Sequence, residues 1–253
     1  MTCFQYSSEE SSRPQEFHTT SGFQIASFFQ PYGGDLRGGD RFGIITPEPN
    51  KLWFYIGDAT GHGSQGALFW KHYEESFHQF WNALLYEDAS DESFSRFVSK
   101  LNDRLLARNH PLAQLCLTFG IFLGNGDVFF STCGYGTHLL ASRRHSDRVP
   151  PETSFGLKLG WLSSSQRATF PNALIFRRYR DVDRIVLMTD SFLGEDHRDP
   201  EATRTLISQM NEKSQIQSIE WTQVIPYFLK HFPDENDDTT ILVIERTACK
   251  SDS

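Results

Sequence analysis

Several features that would quickly assign a function are missing from this sequence. No apolar stretch is long enough to span a bilayer, and the opening residues MTCFQYSSEESSRPQEF carry no signal-peptide pattern. The four cysteines include no CxxC pair, which argues against a zinc site or a redox motif. The net charge is -8, so there is no basic excess to attract nucleic acid or an anionic membrane. We expect a cytoplasmic protein that binds neither of these.

Two short motifs of common catalytic sites are absent as well. The chain has no HExxH pattern for zinc and no GxxxxGK[ST] loop to hold a nucleotide phosphate. The glycine-rich stretch GDATGHGSQG, residues 57–66, has no lysine near the start of the helix predicted to follow it. This stretch fits a plain turn between a strand and a helix, or a loop whose backbone carbonyl reaches a metal ion.

Bulky apolar residues are plentiful, since 22 Phe and 5 Trp supply core material for a globular domain. Short apolar runs bounded by turn residues predict strands, and Asn125-Gly126 predicts a hairpin between two of them. Strands joined in this way indicate an α+β fold, with antiparallel sheets and helices packed outside them. The predicted strands are FQIASFF, KLWFYIGD, both halves of QLCLTFGIFLGNGDVFFSTCG, HLLAS, ALIFRR, RIVLMTD and TTILVIE.

Apolar residues at helical spacing predict the helices. These helices lie near residues 64–86, 92–108, 200–212 and 216–231, the last of them kinked or interrupted at Pro226. Residues 1–20 are polar and rich in Ser and Glu, which predicts a flexible N-terminal segment. No long linker follows, so one domain over residues 21–248 is the economical interpretation.

Aspartates recur at the ends of the predicted strands. Asp40 precedes a strand, Asp58 and Asp190 each end one, and the pair Asp237-Asp238 leads into the last. A single aspartate in this setting is usually a turn or helix-cap residue. Several that converge in one cleft suit Mg²⁺ or Mn²⁺, which take oxygen ligands and favour a few carboxylates with bound water. Two such ions can activate a water molecule for attack on a phosphoryl group.

The order of these motifs resembles a known family. GGD, GDATGHG, LNDRLL, GYGTHLL, GLKLG, RIVLMTDS and DDTTILVIE follow the order and approximate spacing of PPM-type metal-dependent Ser/Thr phosphatases, the protein phosphatase 2C superfamily. The similarity is to the bacterial branch of stage II sporulation E and sigma-factor-regulator phosphatases. It implies an α-β-β-α sandwich of two antiparallel sheets, with two Mg²⁺ or Mn²⁺ ions bound at one end. It also implies hydrolysis of phosphoserine or phosphothreonine on proteins by a metal-activated water.

The resemblance also implies the site residues. The metal ligands would be Asp40, Asp58, Asp190, Asp237 and the backbone carbonyl of Ala59. Asp58 would bridge the two ions and so be central to catalysis. His62 is a candidate for proton transfer, because its ordinary pKa lies near neutrality. Eukaryotic members place their catalytic histidine closer to the bridging aspartate, so the alternative is that His62 is a residue of the loop or helix start.

Two departures from the family pattern and three functional alternatives stay open. GYGTHLL replaces the more usual Ala-Gly-His-Pro pattern, which leaves Tyr135 where a histidine is common. Ser191 stands where the family usually has Gly after Asp190, and serine resists positive φ, which puts the loop geometry in question. No proposed ligand is missing, so an active phosphatase is favoured over a pseudophosphatase that serves as a regulatory binding module. A nucleotide-binding protein that uses GDATGHG is the third interpretation. The substrate implied is a phosphoprotein, either an anti-sigma-factor antagonist or a target of a Ser/Thr kinase.

The tripeptide GGD occurs twice in GGDLRGGD, residues 33–40, so either Asp35 or Asp40 could be the ligand. The family's spacing to the bridging aspartate matches Asp40. The two aspartates are an odd number of positions apart, so in a regular strand they would face opposite sides. We predict that Asp40 is the ligand and that Asp35 is a turn residue, with an accessory-metal carboxylate as the alternative.

Overall fold

The computed structural model describes residues 4–7, 15–35, 37–107, 114–141, 154–155, 157–170, 174–191, 219–231 and 237–247. The strands within these ranges are β1 (Phe4–Ser7), β2 (Gln15–Thr20), β3 (Phe23–Gln30), β4 (Asp40–Glu48), β5 (Lys51–Ala59), β6 (Leu115–Leu123), β7 (Val128–Cys133), β8 (Tyr135–Ala141), β9 (Ser154–Phe155), β10 (Ile175–Tyr179), β11 (Arg184–Met188) and β12 (Thr239–Arg246). The α-helices are α1 (Gly63–Leu84), α2 (Asp91–Ala107), α3 (Ser164–Arg167) and α4 (Val224–His231). Two 3-10 turns lie at Tyr32–Gly34 and Trp221–Gln223.

The strands form two six-stranded sheets, and every paired strand is antiparallel to its neighbour. The first sheet has the order β1-β4-β5-β6-β7-β10, and the second has the order β2-β3-β12-β11-β8-β9. Consecutive strands β4 to β7 are neighbours in the first sheet. Short connections join β4 to β5 and β6 to β7, whereas β5 and β6 are joined through α1 and α2. The second sheet inserts β12 between β3 and β11, which brings the last strand of the chain to its centre.

The alternation of side chains along each strand creates the layers. On β5, Leu52 and Phe54 belong to the core between the two sheets, whereas Trp53 and Tyr55 face the core under α1 and α2. A third core packs α4 against the outer face of the second sheet. The resulting order of layers is helix, sheet, sheet, helix, which confirms the predicted α-β-β-α sandwich.

Aromatic side chains fix α1 on the first sheet. Its buried face includes Trp70, Tyr73, Phe77 and Trp81, which recur at helical spacing. The ring of Phe77 meets that of Tyr55 on β5 edge to face, with centroids 4.7 Å apart. Such contacts add to the free energy gained by burying the rings, so the helix is held firmly over the strands that carry the site.

The predicted hairpin is confirmed between β6 and β7. Gly126 has φ of 91°, a conformation that favours glycine, and its N–H donates to the Leu123 carbonyl at 2.9 Å. The Asn125 side chain accepts a hydrogen bond from the Asp127 N–H at 2.9 Å. The turn therefore uses both residues of the Asn-Gly pair.

The expectation of a flexible segment over residues 1–20 differs from the structure. Phe4–Ser7 pairs with β4 at one edge of the first sheet, and Gln15–Thr20 pairs with β3 at one edge of the second. The many polar side chains of these strands give no apolar pattern that predicts a strand. An edge strand is stabilised by backbone hydrogen bonds to its neighbour, whatever its side chains are.

The C-terminal helices are described only in part. The helix predicted near 200–212 lies outside the described residues. Of the helix predicted over 216–231, residues 216–218 lie outside them too, and the α-helix begins only at Val224, after the 3-10 turn at Trp221–Gln223. Pro226 does not kink α4, because it occupies the first turn, where backbone N–H groups have no partner within the helix. None of the helices that the structure describes combines the length and apolar character needed to cross a membrane.

Candidate active site

Two aspartates of the first sheet lie opposite each other at one end of the sandwich. Asp40 begins β4, Asp58 lies near the end of β5, and the two are direct partners in the antiparallel register. Each is two residues from an apolar side chain that points between the sheets, Phe42 for Asp40 and Ile56 for Asp58. Side-chain alternation therefore turns both carboxyl groups into the space between the sheets.

The second sheet brings two more aspartates to the same region. Asp190 follows the end of β11 and Asp237 precedes the start of β12, and these two strands are paired with Met188 opposite Ile241. The charge of Asp190 acts on both Asp58 and Asp237. The structure thus brings together the four aspartates that the sequence predicts as metal ligands, two from each sheet.

Burial and mutual repulsion raise the pKa values of the first-sheet pair. The pKa of Asp40 is raised well above its ordinary value, first by burial and then by the charges of Asp58 and Asp238. The pKa of Asp58 is raised in the same way, by burial and then by Asp190, while Lys158 opposes the rise. Repulsion of this kind is relieved by a cation, so the cluster has the electrostatics of a cation site.

Asp237 shows the same effect at a more exposed position. Burial, followed by the charge of Asp190, raises the pKa of Asp237 to about 6. His62 lies close enough for its charge to lower the pKa of Asp237. The carboxyl group of Asp237 therefore holds its proton to a higher pH than an ordinary aspartate does.

The carboxylates share one region without forming a closed cage. Among the described residues, no three side chains of His, Cys, Asp or Glu are close enough together to hold a metal ion as they stand. The interactions between these aspartates therefore act over longer distances than ligands of one ion would have. Thr189, which follows β11 of the second sheet, orients an aspartate of the first sheet, because its hydroxyl donates to Asp40 Oδ2 at 2.8 Å.

Ala59 is the last residue of β5 and follows Asp58 directly. Its N–H donates to the Gly39 carbonyl at 3.2 Å, and its own carbonyl oxygen packs against Gly39 so closely that an added Cβ there would lie 2.8 Å from it. A Cβ on Gly38 would similarly lie 2.6 Å from the carboxylate of Asp238. The second GGD copy therefore needs its glycines for close approach of the backbone to the site.

Asp238 has a role that sequence reasoning missed. Its buried carboxylate accepts hydrogen bonds from the backbone N–H groups of Tyr32 at 2.7 Å, Gly39 at 2.6 Å and Gly63 at 3.1 Å. Tyr32 and Gly39 precede β4 and Gly63 begins α1, so this side chain joins both segments to the start of β12. The alternation of β12 offers one signal, because Thr240, two residues later, faces inward and is fully buried.

Asp35, in the first GGD copy, is exposed, whereas Asp40 is buried. It follows the 3-10 turn and is not part of β4, so the odd spacing to Asp40 does not set its direction as it would in a strand. Its Oδ2 accepts a hydrogen bond from the Ser64 N–H at 2.7 Å, at the first turn of α1. The structure therefore places Asp35 at a helix N-terminus and Asp40 between the sheets.

His62 is the residue before the first turn of α1, and its side chain is exposed. Its ring contacts that of Tyr32, with centroids 4.4 Å apart. It makes no side-chain hydrogen bond to cap the helix. The structure thus brings His62 to the rim of the cluster, beside Asp237, and not between Asp40 and Asp58.

Ser191 fits its position without backbone strain. Among the described residues other than glycine, positive φ occurs at Asn50 and Asp181, and Ser191 does not share it. The conformational objection to a serine after Asp190 therefore does not apply. Its hydroxyl is buried, and no hydrogen-bond partner for it lies in the described part of the chain.

The family model of stage II sporulation protein E (SpoIIE) matches residues 48–247. The chain belongs to the SpoIIE family. It is by this membership a protein serine/threonine phosphatase of the PP2C type, as the resemblance implied. Among curated proteins, none matches the chain significantly.

Solved structures share the fold of this SpoIIE-family domain at low sequence identity. The PP2C phosphatase domain of SpoIIE from Bacillus subtilis, solved with a fragment of its regulatory domain, superposes with a TM-score of 0.63 at 12% identity, covering 96% of this chain and 71% of that one. The RsbU and RsbW domains of Rv1364c from Mycobacterium tuberculosis give 0.60 at 20% identity, covering 90% and 61%. RsbX in complex with magnesium gives 0.59 at 12% identity, covering 92% and 100%.

Proposed function

We propose that this SpoIIE-family domain hydrolyses phosphoserine or phosphothreonine on proteins, using Mg²⁺ or Mn²⁺ held at the aspartate cluster. The observation that carries the proposal is the meeting of Asp40, Asp58, Asp190 and Asp237 at one end of the two sheets. In a core built from apolar side chains, several uncompensated carboxylates are costly unless a function requires them.

The donors present fit a hard divalent cation. Carboxylate oxygens, with the Ala59 carbonyl beside them, are the ligand types that Mg²⁺ and Mn²⁺ favour. Bound there, two ions would activate a water molecule for attack on phosphorus and neutralise charge on the phosphoryl group. Burial and repulsion raise the pKa values of Asp40 and Asp58, and a cation bound beside them would favour their charged forms.

The residues of the chain have separate tasks in this proposal. Asp58, which repels both Asp40 and Asp190, is placed to share ions between the two sheets. Asp40 is held in one orientation by the Thr189 hydroxyl, which is itself bound by the Thr240 N–H at 3.1 Å. His62, exposed at the rim beside Asp237, is placed for proton transfer to or from the solvent side.

The proposed substrate is a phosphorylated protein. The structures that share this fold include proteins named RsbX, RsbU and SpoIIE, which supports a substrate of the regulatory class. An anti-sigma-factor antagonist phosphorylated on serine and a target of a Ser/Thr kinase are the two candidates. Both present the same chemical group to the site, a phosphate monoester on an exposed segment.

The deciding experiment measures hydrolysis of a phosphoserine peptide by the purified protein with and without Mn²⁺. We expect turnover that requires Mn²⁺ and that falls by several orders of magnitude in Asp58→Asn. Asp91→Asn, at an exposed position on α2, is the matched control and should retain the wild-type rate. Absence of both turnover and Mn²⁺ uptake by calorimetry would instead support the non-catalytic binding module.

A further inference from the structure

Lys158 lies in line with the aspartates of the first sheet. The next residue, Leu159, exchanges two backbone hydrogen bonds with Leu115 at the start of β6, of 2.9 and 3.1 Å, in an antiparallel bridge. This register sets Lys158 opposite Cys116, and Cys116 is the direct partner of Asp58. Since Asp58 pairs with Asp40, the four residues form one row across the sheet.

Side-chain alternation decides which face of the sheet Lys158 occupies. Leu159 and its partner Leu115 both belong to the core under α1 and α2. The neighbouring position in each segment must face the other way, toward the space between the sheets. Lys158 therefore shares a face with Asp58, in agreement with the effect of its charge on that residue.

The segment that carries Lys158 is held at both ends. The buried Arg167 donates hydrogen bonds to the carbonyls of Leu157 at 3.1 Å and Lys158 at 2.8 Å. Asn102, fully buried on α2, accepts from the Gly160 N–H and donates to the Leu162 carbonyl, each at 2.9 Å. These contacts fix the backbone at Lys158, so its side chain begins from a defined point beside the cluster.

We propose that Lys158 binds the phosphoryl group of the substrate at the aspartate cluster. The inference rests on the proposed function, because it assumes that a phosphate monoester enters there. Such an anion has to approach several carboxylates, and an ammonium group among them supplies both charge and hydrogen-bond donors. Lys158 is half-buried, which leaves its long side chain access to a bound group.

Two substitutions separate the charge of Lys158 from its bulk. Lys158→Met keeps a chain of similar length without the charge, and Lys158→Arg keeps the charge. Lys71→Met, at an exposed position on α1, is the matched control for loss of one positive charge. Calorimetry measures binding of Mn²⁺ to the metal-free protein and of inorganic phosphate to the magnesium-loaded protein, and phosphopeptide kinetics give KM and kcat.

We expect Lys158→Met to weaken inorganic phosphate binding and raise KM by about ten-fold, in line with the loss of one charge-assisted hydrogen bond. The same variant should bind Mn²⁺ more tightly, because Asp58 loses a competing positive charge. Lys158→Arg should retain most of the phosphate binding. Lys71→Met should leave both the phosphate affinity and the KM unchanged.

Other results would overturn the proposal. Tighter Mn²⁺ binding with unchanged phosphate binding would make Lys158 a counter-ion of Asp58 and nothing more. Weaker binding of both ligands with a lower melting temperature would make it a structural residue. Absence of phosphopeptide turnover in the wild type would overturn the proposed function alone, because the phosphate titrations would still show whether Lys158 binds the anion.

Discussion

Asp35 Oδ2 accepts a hydrogen bond from the backbone N–H of Ser64 at 2.7 Å. Ser64 lies in the first turn of α1, where backbone N–H groups have no partner within the helix and the helix dipole favours a negative charge. The residue before this turn, His62, contributes no side-chain cap. The carboxylate of the first GGD copy therefore caps a helix from another part of the chain.

Removing this cap should cost stability and leave catalysis largely intact. We expect Asp35→Ala to lower the free energy of unfolding by about 1 kcal/mol, the usual cost of losing an N-terminal cap. Urea unfolding measures this loss, and phosphopeptide kinetics should show most of the wild-type kcat. A loss of turnover as complete as that of an Asp40 variant would contradict the assignment of Asp35 as a cap.

Asp40→Asn should lose catalysis and gain stability, the reverse of what we expect for Asp35→Ala. Loss of a proposed metal ligand should nearly abolish Mn²⁺-dependent turnover. The metal-free variant should nevertheless unfold at a higher temperature than the wild type at pH 7, because a buried charge beside Asp58 is gone. Thermal unfolding in EDTA and phosphopeptide kinetics test both halves, with Asp35→Asn as the matched control.

The layers of this fold follow from patterns that are local in sequence. Alternation on β5 separates residues that face the helices from those that face the second sheet, and Asn125-Gly126 marks a hairpin. The positions of the strand-end aspartates follow from the same alternation. The two N-terminal strands could not be predicted, because their stability comes from backbone pairing with β3 and β4.

The roles of individual polar residues were harder to predict, because they depend on contacts between distant segments. Asp238 and Asp237 are neighbours in sequence, yet Asp238 binds backbone N–H groups that lie 175 to 206 positions away. The place of Lys158 depends on one bridge between Leu159 and Leu115. No spacing of residues along the chain predicts these contacts between distant segments. Only the folded structure therefore distinguishes Asp238 and Lys158 from ordinary loop residues.

The raised pKa of Asp237 predicts that the metal-free protein loses stability as the pH rises. Its pKa is 3.8 ordinarily and about 6 in the folded chain, so the folded state binds this proton more tightly than the unfolded state. The resulting contribution to stability is complete below pH 3.8 and is lost as the pH rises through 6. Asp237→Asn should therefore stabilise the EDTA-treated protein more at pH 7.5 than at pH 5, by about 1 kcal/mol after allowing for solvent screening.

Thermal unfolding of both proteins at the two pH values provides the measurement. Asp91→Asn, at an exposed position, should show no comparable pH-dependent difference from the wild type. An equal effect of Asp237→Asn at both pH values would show that Asp237 does not bind its proton more tightly in the folded chain.

Ser191 offers a test of how a buried hydroxyl affects the stability of the protein. Its hydroxyl is buried and has no hydrogen-bond partner among the described residues, and a polar group in that state costs about 1–3 kcal/mol. Ser191→Ala should raise the free energy of unfolding of the metal-free protein by about 1 kcal/mol, since it removes the hydroxyl and nearly fills the same space. A destabilised variant would indicate that the hydroxyl has a partner in solution, and urea unfolding distinguishes these results.

Asp238 should be more sensitive to substitution than its neighbour Asp237, because its carboxylate joins three backbone segments. Its carboxylate satisfies N–H groups of Tyr32, Gly39 and Gly63, and thereby holds the second GGD copy against the start of α1. Asp238→Ala leaves these donors unsatisfied, and each unsatisfied buried donor costs about 1–3 kcal/mol. We expect a loss of at least about 3 kcal/mol in stability, together with loss of turnover, because Asp40 follows Gly39 directly.

The matched comparison is with Asp237→Asn and Asp238→Asn. Asp237→Asn should lose turnover with no loss of stability at neutral pH, as its repulsive charge is removed. Asp238→Asn keeps one acceptor oxygen, so its stability should lie between those of the wild type and Asp238→Ala. Equal stability of Asp238→Ala and the wild type in urea unfolding would show that the carboxylate does not join these three segments, and the geometry around Asp40 would then need another cause.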